Sequence, residues 1–331
     1  MGMLKRGGRS RLLRYIDILG PWVGVILCFI VIGSLEPRFI SPGNISAIIV
    51  DASTYILLAV GMTFVITGGG IDLSVGSILA LSGVVMTVLA KDTAIDPILA
   101  MVVCLAAGTL LGLVNGLLIT KLKMPDIVVT LATAISYRAL VHVWIGARVL
   151  AGLPPALTYL GRTKLLDGLL PVSVIVAVLV VAVADLLLYR RTRFGRYTIA
   201  IGGNRTAAIH AGIPVDRYKI YTYAFAGFMA ALGAIILAGR FDAWNYAFGT
   251  GKEFHVIAGV IIGGTALFGG LGRLWGSLAG VLLISMLVNG MVAIGVSYFW
   301  QPVGIGAAII LAVAVYTITG RRQSRGVGGG E

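Results

Sequence analysis

Ile45–Thr67, ISAIIVDASTYILLAVGMTFVIT, runs straight into Gly68–Ser77, GGGIDLSVGS. The first stretch is 23 residues long and carries one charge, Asp51. A hydrocarbon layer of about 30 Å needs about 20 apolar residues per helix, so this stretch reads as a membrane span. Three glycines then break the helix, Asp72 follows directly, and Ser74 is placed to cap the next helix. A helix break at such depth exposes backbone groups that protein or a water-lined pathway must satisfy.

Similar apolar windows recur on both sides. Ten spans are expected, at 16–35, 45–67, 74–90, 97–120, 126–146, 168–188, 218–239, 255–269, 274–294 and 303–319. The fold class is therefore an all-α membrane protein of about ten transmembrane helices. A basic head (1–15) precedes a single membrane domain (16–319), and a short tail (320–331) follows it. Of the 331 residues 58% are hydrophobic and only 12% charged, against about 25% charged in ordinary soluble domains. The 46 glycines suit close helix packing in lipid, where contact supplies the drive that water cannot.

The net charge of +13 raises the question of a nucleic-acid partner, and its distribution answers it. With ten spans and a cytoplasmic N-terminus, 18 basic residues fall inside and 7 outside, leaving Arg138 within a span. That bias follows the positive-inside rule, so both termini are expected in the cytoplasm and no nucleic acid is. Trp144, Trp244 and Trp300 fall near outer span ends, as an interfacial aromatic belt would have them. Cys28, Cys104 and three scattered histidines offer no metal spacing.

The longest inside connection, 189–217, is too polar to span and strongly basic. Its middle, Asn204 to Gly212, has a capping residue, an apolar face and a glycine stop. It reads as a short helix at the membrane surface that docks on lipid headgroups or a cytosolic partner. A weak echo links Gly69-Gly70 and Gly76-Ser77 to Gly269-Gly270 and Gly276-Ser277, and transporters are often built from repeats.

Chemistry is sparse. None of the seven lysines is followed by Ser or Thr, so the chain has no P-loop and energy from ATP must come from another chain. Ionisable residues within spans usually face a cavity or a partner. Arg138 and His142 share one face of a helix, and Asp185 lies within reach of Arg190 and Arg191. Candidate residues of a translocation pathway are Asp72, Ser74, Asn115, Thr130, Thr133, Arg138 and Asn289. For the asparagines, interhelical hydrogen bonding is the competing role.

The segments GGGIDLSVGS (68–77), TRFGRYTIAIGGNRTAAIHAGIPVDRYK (192–219) and VIIGGTALFGGLGRLWGSLAG (260–280) together resemble the ribose-type permease family of bacterial ABC sugar importers. The resemblance implies the type II importer permease fold in the bacterial inner membrane. It also implies a second permease subunit, identical or not, and a sugar-binding protein outside. A cytosolic ATPase would hold ATP and Mg²⁺, with no cofactor on this chain. The connection before the seventh span then corresponds to a coupling element, comprising Arg193, Phe194, Gly195, Gly202, Gly203, Asn204, Ala208, Gly212 and Ile213. The chain departs from the family pattern at Pro125-Asp126, where Pro-Pro is common, at Ala132 after Thr130-Leu131, and at Ala139 after Arg138. A branched-chain amino acid permease and a stand-alone secondary transporter are the competing functions.

Overall fold

The computed structural model describes residues 4–93, 95–166, 168 and 170–325; the expected head and tail lie partly outside them, at 1–3 and 326–331. The chain is helical almost throughout. Its helices are α1 (Leu4–Leu35), α2 (Pro42–Thr67), α3 (Val75–Asp92), α4 (Pro97–Lys121), α5 (Asp126–Ile145), α6 (Pro155–Arg162) and α7 (Val172–Val183). After a π-helical turn, Ala184–Tyr189, come α8 (Arg193–Gly203), α9 (Arg205–His210), α10 (Val215–Phe241), α11 (Lys252–Ile262), α12 (Leu274–Ala293) and α13 (Gln301–Arg325). Two short antiparallel ladders, Leu150–Ala151 with Ala243–Trp244 and Lys164–Leu165 with Leu170–Pro171, tie the connections.

Helices occupy all ten expected positions, but among the described residues six (α2, α3, α4, α5, α10 and α12) are long and apolar enough to cross a membrane. Leu19–Leu35, Val172–Leu186 and Tyr298–Leu311 are shorter apolar stretches. The span expected at 255–269 is corrected: α11 has 11 residues and stops at Ile262. Gly264, Gly269 and Gly270 all take positive φ, so the backbone leaves the helix although hydropathy stays high. Asp185 pairs at 2.9 Å with Arg190, one of the two arginines expected within its reach. Trp244 follows the end of α10 and is fully buried over Gly83.

The core forms around α2. Ser41 accepts a hydrogen bond from the Asn44 amide and Pro42 opens the helix, while Gly68 and Gly69 end it. From Ala52 to Thr67 every residue except Tyr55 is buried, as expected of a helix that is apolar all round. α4 buries one stripe, from Ala100 and Cys104 through Gly108, Gly112, Asn115 and Gly116 to Ile119 and Thr120, and three of its members are glycines. A Cβ on any of the three would strike the backbone of α10, so glycine sets the α4–α10 separation.

The two halves repeat one packing plan. α3 packs on α10 as α11 packs on α2, α4 crosses α10 as α12 crosses α2, and α3 lies against α5 as α11 lies against α13. In this plan α3 corresponds to α11, whereas the sequence echo at Gly69-Gly70 and Gly269-Gly270 pairs α3 with α12. The echo therefore marks two breaks that meet in space, not equivalent positions of a repeat.

Candidate functional site: a docked surface helix pair and a buried polar network

α8 and α9 form one bent unit. Thr192 accepts from the Gly195 amide at 3.4 Å to start α8, and Asn204 Oδ1 accepts from the Ala207 amide at 2.9 Å to start α9. Gly212 ends α9 at φ +74°, a conformation L side chains rarely adopt. The expected helix at 204–212 is present, and sequence reading missed α8 in front of it. α8 packs on the bundle through Gly195, Thr198 and Ile201, with the Phe194 ring stacked on Phe64 of α2 at 5.1 Å. Ile201, Ala208 and Val215 make a small core of their own. Phe194, Gly202 and Ile213 are half-buried, while Arg193, Gly203, Asn204 and Gly212 lie on the open side.

The C-terminal end of α8 sits on both helix breaks. Gly270 N–H donates to the Thr67 carbonyl at 2.9 Å. A Cβ on Gly202 would collide with that carbonyl and lie 2.7 Å from Gly270 N, and one on Gly269 would lie 2.8 Å from the Gly202 carbonyl. The Gly272 amide donates to the Tyr189 hydroxyl at 2.7 Å. The segments 68–77, 192–219 and 260–280, far apart in sequence, thus meet around Thr67. At this point backbone lies against backbone, with no side chain between the end of α8, α2 and the 263–273 loop.

The pathway candidates divide. Asp72, Ser74, Asn115 and Thr130 come together in a buried network. Asp72 Oδ1 accepts from the Ser74 amide (2.8 Å) and hydroxyl (2.6 Å), and Asn115 Nδ2 donates to Ser74 Oγ at 2.7 Å. Ser74 occupies the capping position of α3, but its hydroxyl makes no cap bond because it turns to Asp72. Thr130 Oγ1 donates to the Ile71 carbonyl at 3.2 Å, and Thr133 donates within its own helix to the Thr130 carbonyl. Arg138 stands apart, donating to the carbonyls of Tyr246 (3.2 Å) and Phe248 (2.7 Å) in the loop before α11. His142, one turn on, lies against the Tyr246 ring. Asn289 exchanges hydrogen bonds with Asn44 at 2.9 and 3.1 Å, joining α12 to α2.

Four members of the network were not foreseen. Tyr137 donates to Asn115 Oδ1, and Asp126 takes Lys219 Nζ at 2.7 Å and the Tyr223 hydroxyl at 2.8 Å. The signal for Asp126 was its place in a position where the family pattern has proline. Lys219, counted only as a topology charge, is the complement that keeps this carboxylate inside the bundle.

Residues 44–316 match the family described as branched-chain amino acid transport system / permease component. The ribose import permease protein of Bacillus subtilis (strain 168) is 42% identical over 297 residues, covering 89% of this chain and 91% of the relative. The D-allose transport system permease protein of Escherichia coli (strain K12) is 34% identical, covering 90% and 91%. The galactose/methyl galactoside import permease protein of the same strain is 30% identical, covering 95% and 98%. No solved structure matches the chain. With helices long and apolar enough to cross a membrane and a match over most of its length, the chain belongs to this permease-component family and, with these relatives, to its ribose-type members.

Proposed function

We propose that this chain is the membrane-spanning subunit of an ATP-driven importer that brings a monosaccharide or related polyol across the bacterial inner membrane by alternating access. The observation that carries this reading is the seating of α8 on Thr67, Gly269 and Gly270. It gives a cytosolic ATPase a rigid handle on the two helix breaks of the bundle. The ATPase would hold ATP and Mg²⁺ and engage the open side of α8–α9 through residues such as Arg193, Gly203, Asn204 and Gly212. A second permease subunit and an external sugar-binding protein complete the assembly. The ten helices form the type II arrangement with both termini in the cytoplasm, and the repeated packing of its halves supports that arrangement. The network around Asp72, Ser74, Asn115 and Thr130, with Thr133 beside it, stiffens the first break next to the pathway. Arg138 and Asn289 hold neighbouring elements in register.

The side assignment has a direct test. A cysteine replacing Ser41 should react with an impermeant thiol reagent in intact cells, while one replacing Thr206 should react only after permeabilisation. Labelling of Thr206→Cys in intact cells would overturn the arrangement.

A further inference from the structure

α11 starts beside the middle of α2: Gly251 (φ +74°) caps it, and one turn on the rings of His255 and Tyr55 stack at 3.9 Å. The loop before it dips into the bundle, with Gly249 against the backbone of Gly76. Between α2, α11, α12 and α13 this leaves a cavity of about 380 Å³, within the ~300–1,000 Å³ range of small-molecule sites. Discontinuous helices starting at depth are where transporters commonly hold their cargo.

The lining suits one kind of guest. Phe254 and Tyr298, residues that are 51% and 73% exposed, line the cavity, and flat apolar ring faces stack well on the C–H faces of a sugar ring. Tyr55, Thr250, Tyr298 and Gln301 line the same space, and within the chain none of their side chains donates or accepts a hydrogen bond among the described residues. The Tyr55 ring is held in place by His255 on one contact and by Lys252 Nζ at 4.0 Å from its centroid on another. His255 in turn meets Ser285 Oγ at 3.3 Å. Among the described residues no carboxylate lines the cavity, so a zwitterion would find no partner for its ammonium group there. An acyl chain would leave the hydroxyls and the amide unpaired inside the cavity.

We propose that this cavity is a subsite contacted by a monosaccharide during passage. Phe254 and Tyr298 stack on its C–H faces, and Tyr55, Thr250 and Gln301 hydrogen-bond its hydroxyls. The proposal rests on the sugar-importer reading. The test uses cells producing this permease with its ATPase and binding protein, given labelled ribose, allose and galactose, with uptake expressed per assembled complex. Gln301→Leu and Tyr298→Leu should each lower the maximal rate by about fivefold or more, the worth of roughly one hydrogen bond or ring contact. Tyr298→Phe, which keeps the ring, should recover most of that loss. Thr250→Val, nearly isosteric and outside the helices, should lower the rate in the same direction and guards against misfolding of the larger changes. Rates within twofold of the parent for Gln301→Leu, Tyr298→Leu and Thr250→Val would overturn the subsite while the importer reading stands. A parent that takes up none of the sugars but does take up leucine would overturn the importer reading, and the subsite with it.

Discussion

Gly202 and Gly203 are neighbours at the end of α8 and face different demands. A Cβ on Gly202 would enter the space of the Thr67 carbonyl, whereas one on Gly203 would find its nearest neighbour at 3.9 Å. Overpacking against backbone costs about 1–3 kcal/mol or more, since neither side can rotate away. Gly202→Ala is therefore expected to lower the melting temperature of the purified protein and its uptake rate, and Gly203→Ala to leave both near the parent. Equal behaviour of the two variants would show that the contact at Thr67 is slack. A second residue-scale expectation concerns the Lys219–Asp126 pair, whose side chains are 21% and 14% exposed. Lys219→Met strands a carboxylate close to Asp72, and breaking a buried pair from one side costs about 3–5 kcal/mol. Adding Asp126→Asn should recover most of the loss in a double-mutant cycle read by thermal unfolding. Additive losses would mean that the two groups do not interact.

Elements were legible where local chemistry fixes them. α9 was visible because Asn204 and Gly212 are start and stop signals within nine residues. α8 was not, because its apolar positions Phe194 and Ile201 lie among Arg193 and Arg196, and only the Phe64 ring makes them an inner face. α11 was extended too far because hydropathy does not register the positive φ of Gly264, Gly269 and Gly270. The network around Asp72 was half legible: Ser74 and Asn115 stood out as polar groups in apolar runs, but Tyr137 of α5 joins Asn115, and Lys219 and Tyr223 of α10 join Asp126, meetings that sequence spacing does not show. The α8–α9 unit carries its own prediction. Deleting 204–212 should abolish uptake in a protein that still inserts, because the surface offered to the ATPase is lost. Gly212→Val should act in the same direction, since a β-branched residue at φ +74° costs about 1–3 kcal/mol and misdirects the chain into α10. Full-rate uptake by the inserted deletion variant would reduce the segment to a linker.

Across the whole molecule, most described charges inside the bundle have partners within the chain, although Asp72 Oδ2 is buried without one. Arg138 serves the carbonyls of Tyr246 and Phe248, Asp51 pairs with Arg240, Asp126 with Lys219, and Asp72 takes both hydrogen bonds of Ser74. A branched-chain amino acid, the substrate class in the family's description, brings a carboxylate and an ammonium that need charged partners or aimed helix ends. A sugar brings hydroxyls and no net charge, and the described lining of the cavity beside α11 offers it hydroxyls, an amide and aromatic rings. The relatives named for ribose, allose and galactose point the same way. Cells lacking this chain are therefore expected to lose high-affinity uptake of one labelled pentose, hexose or polyol at submicromolar concentration, to regain it on complementation, and to keep leucine uptake throughout. The measurement is a tracer panel on parent, deletion and complemented strains. Loss of leucine uptake with every sugar unaffected would move the cargo to the amino-acid class, and the paired charges would then have to be released during the transport cycle to meet it.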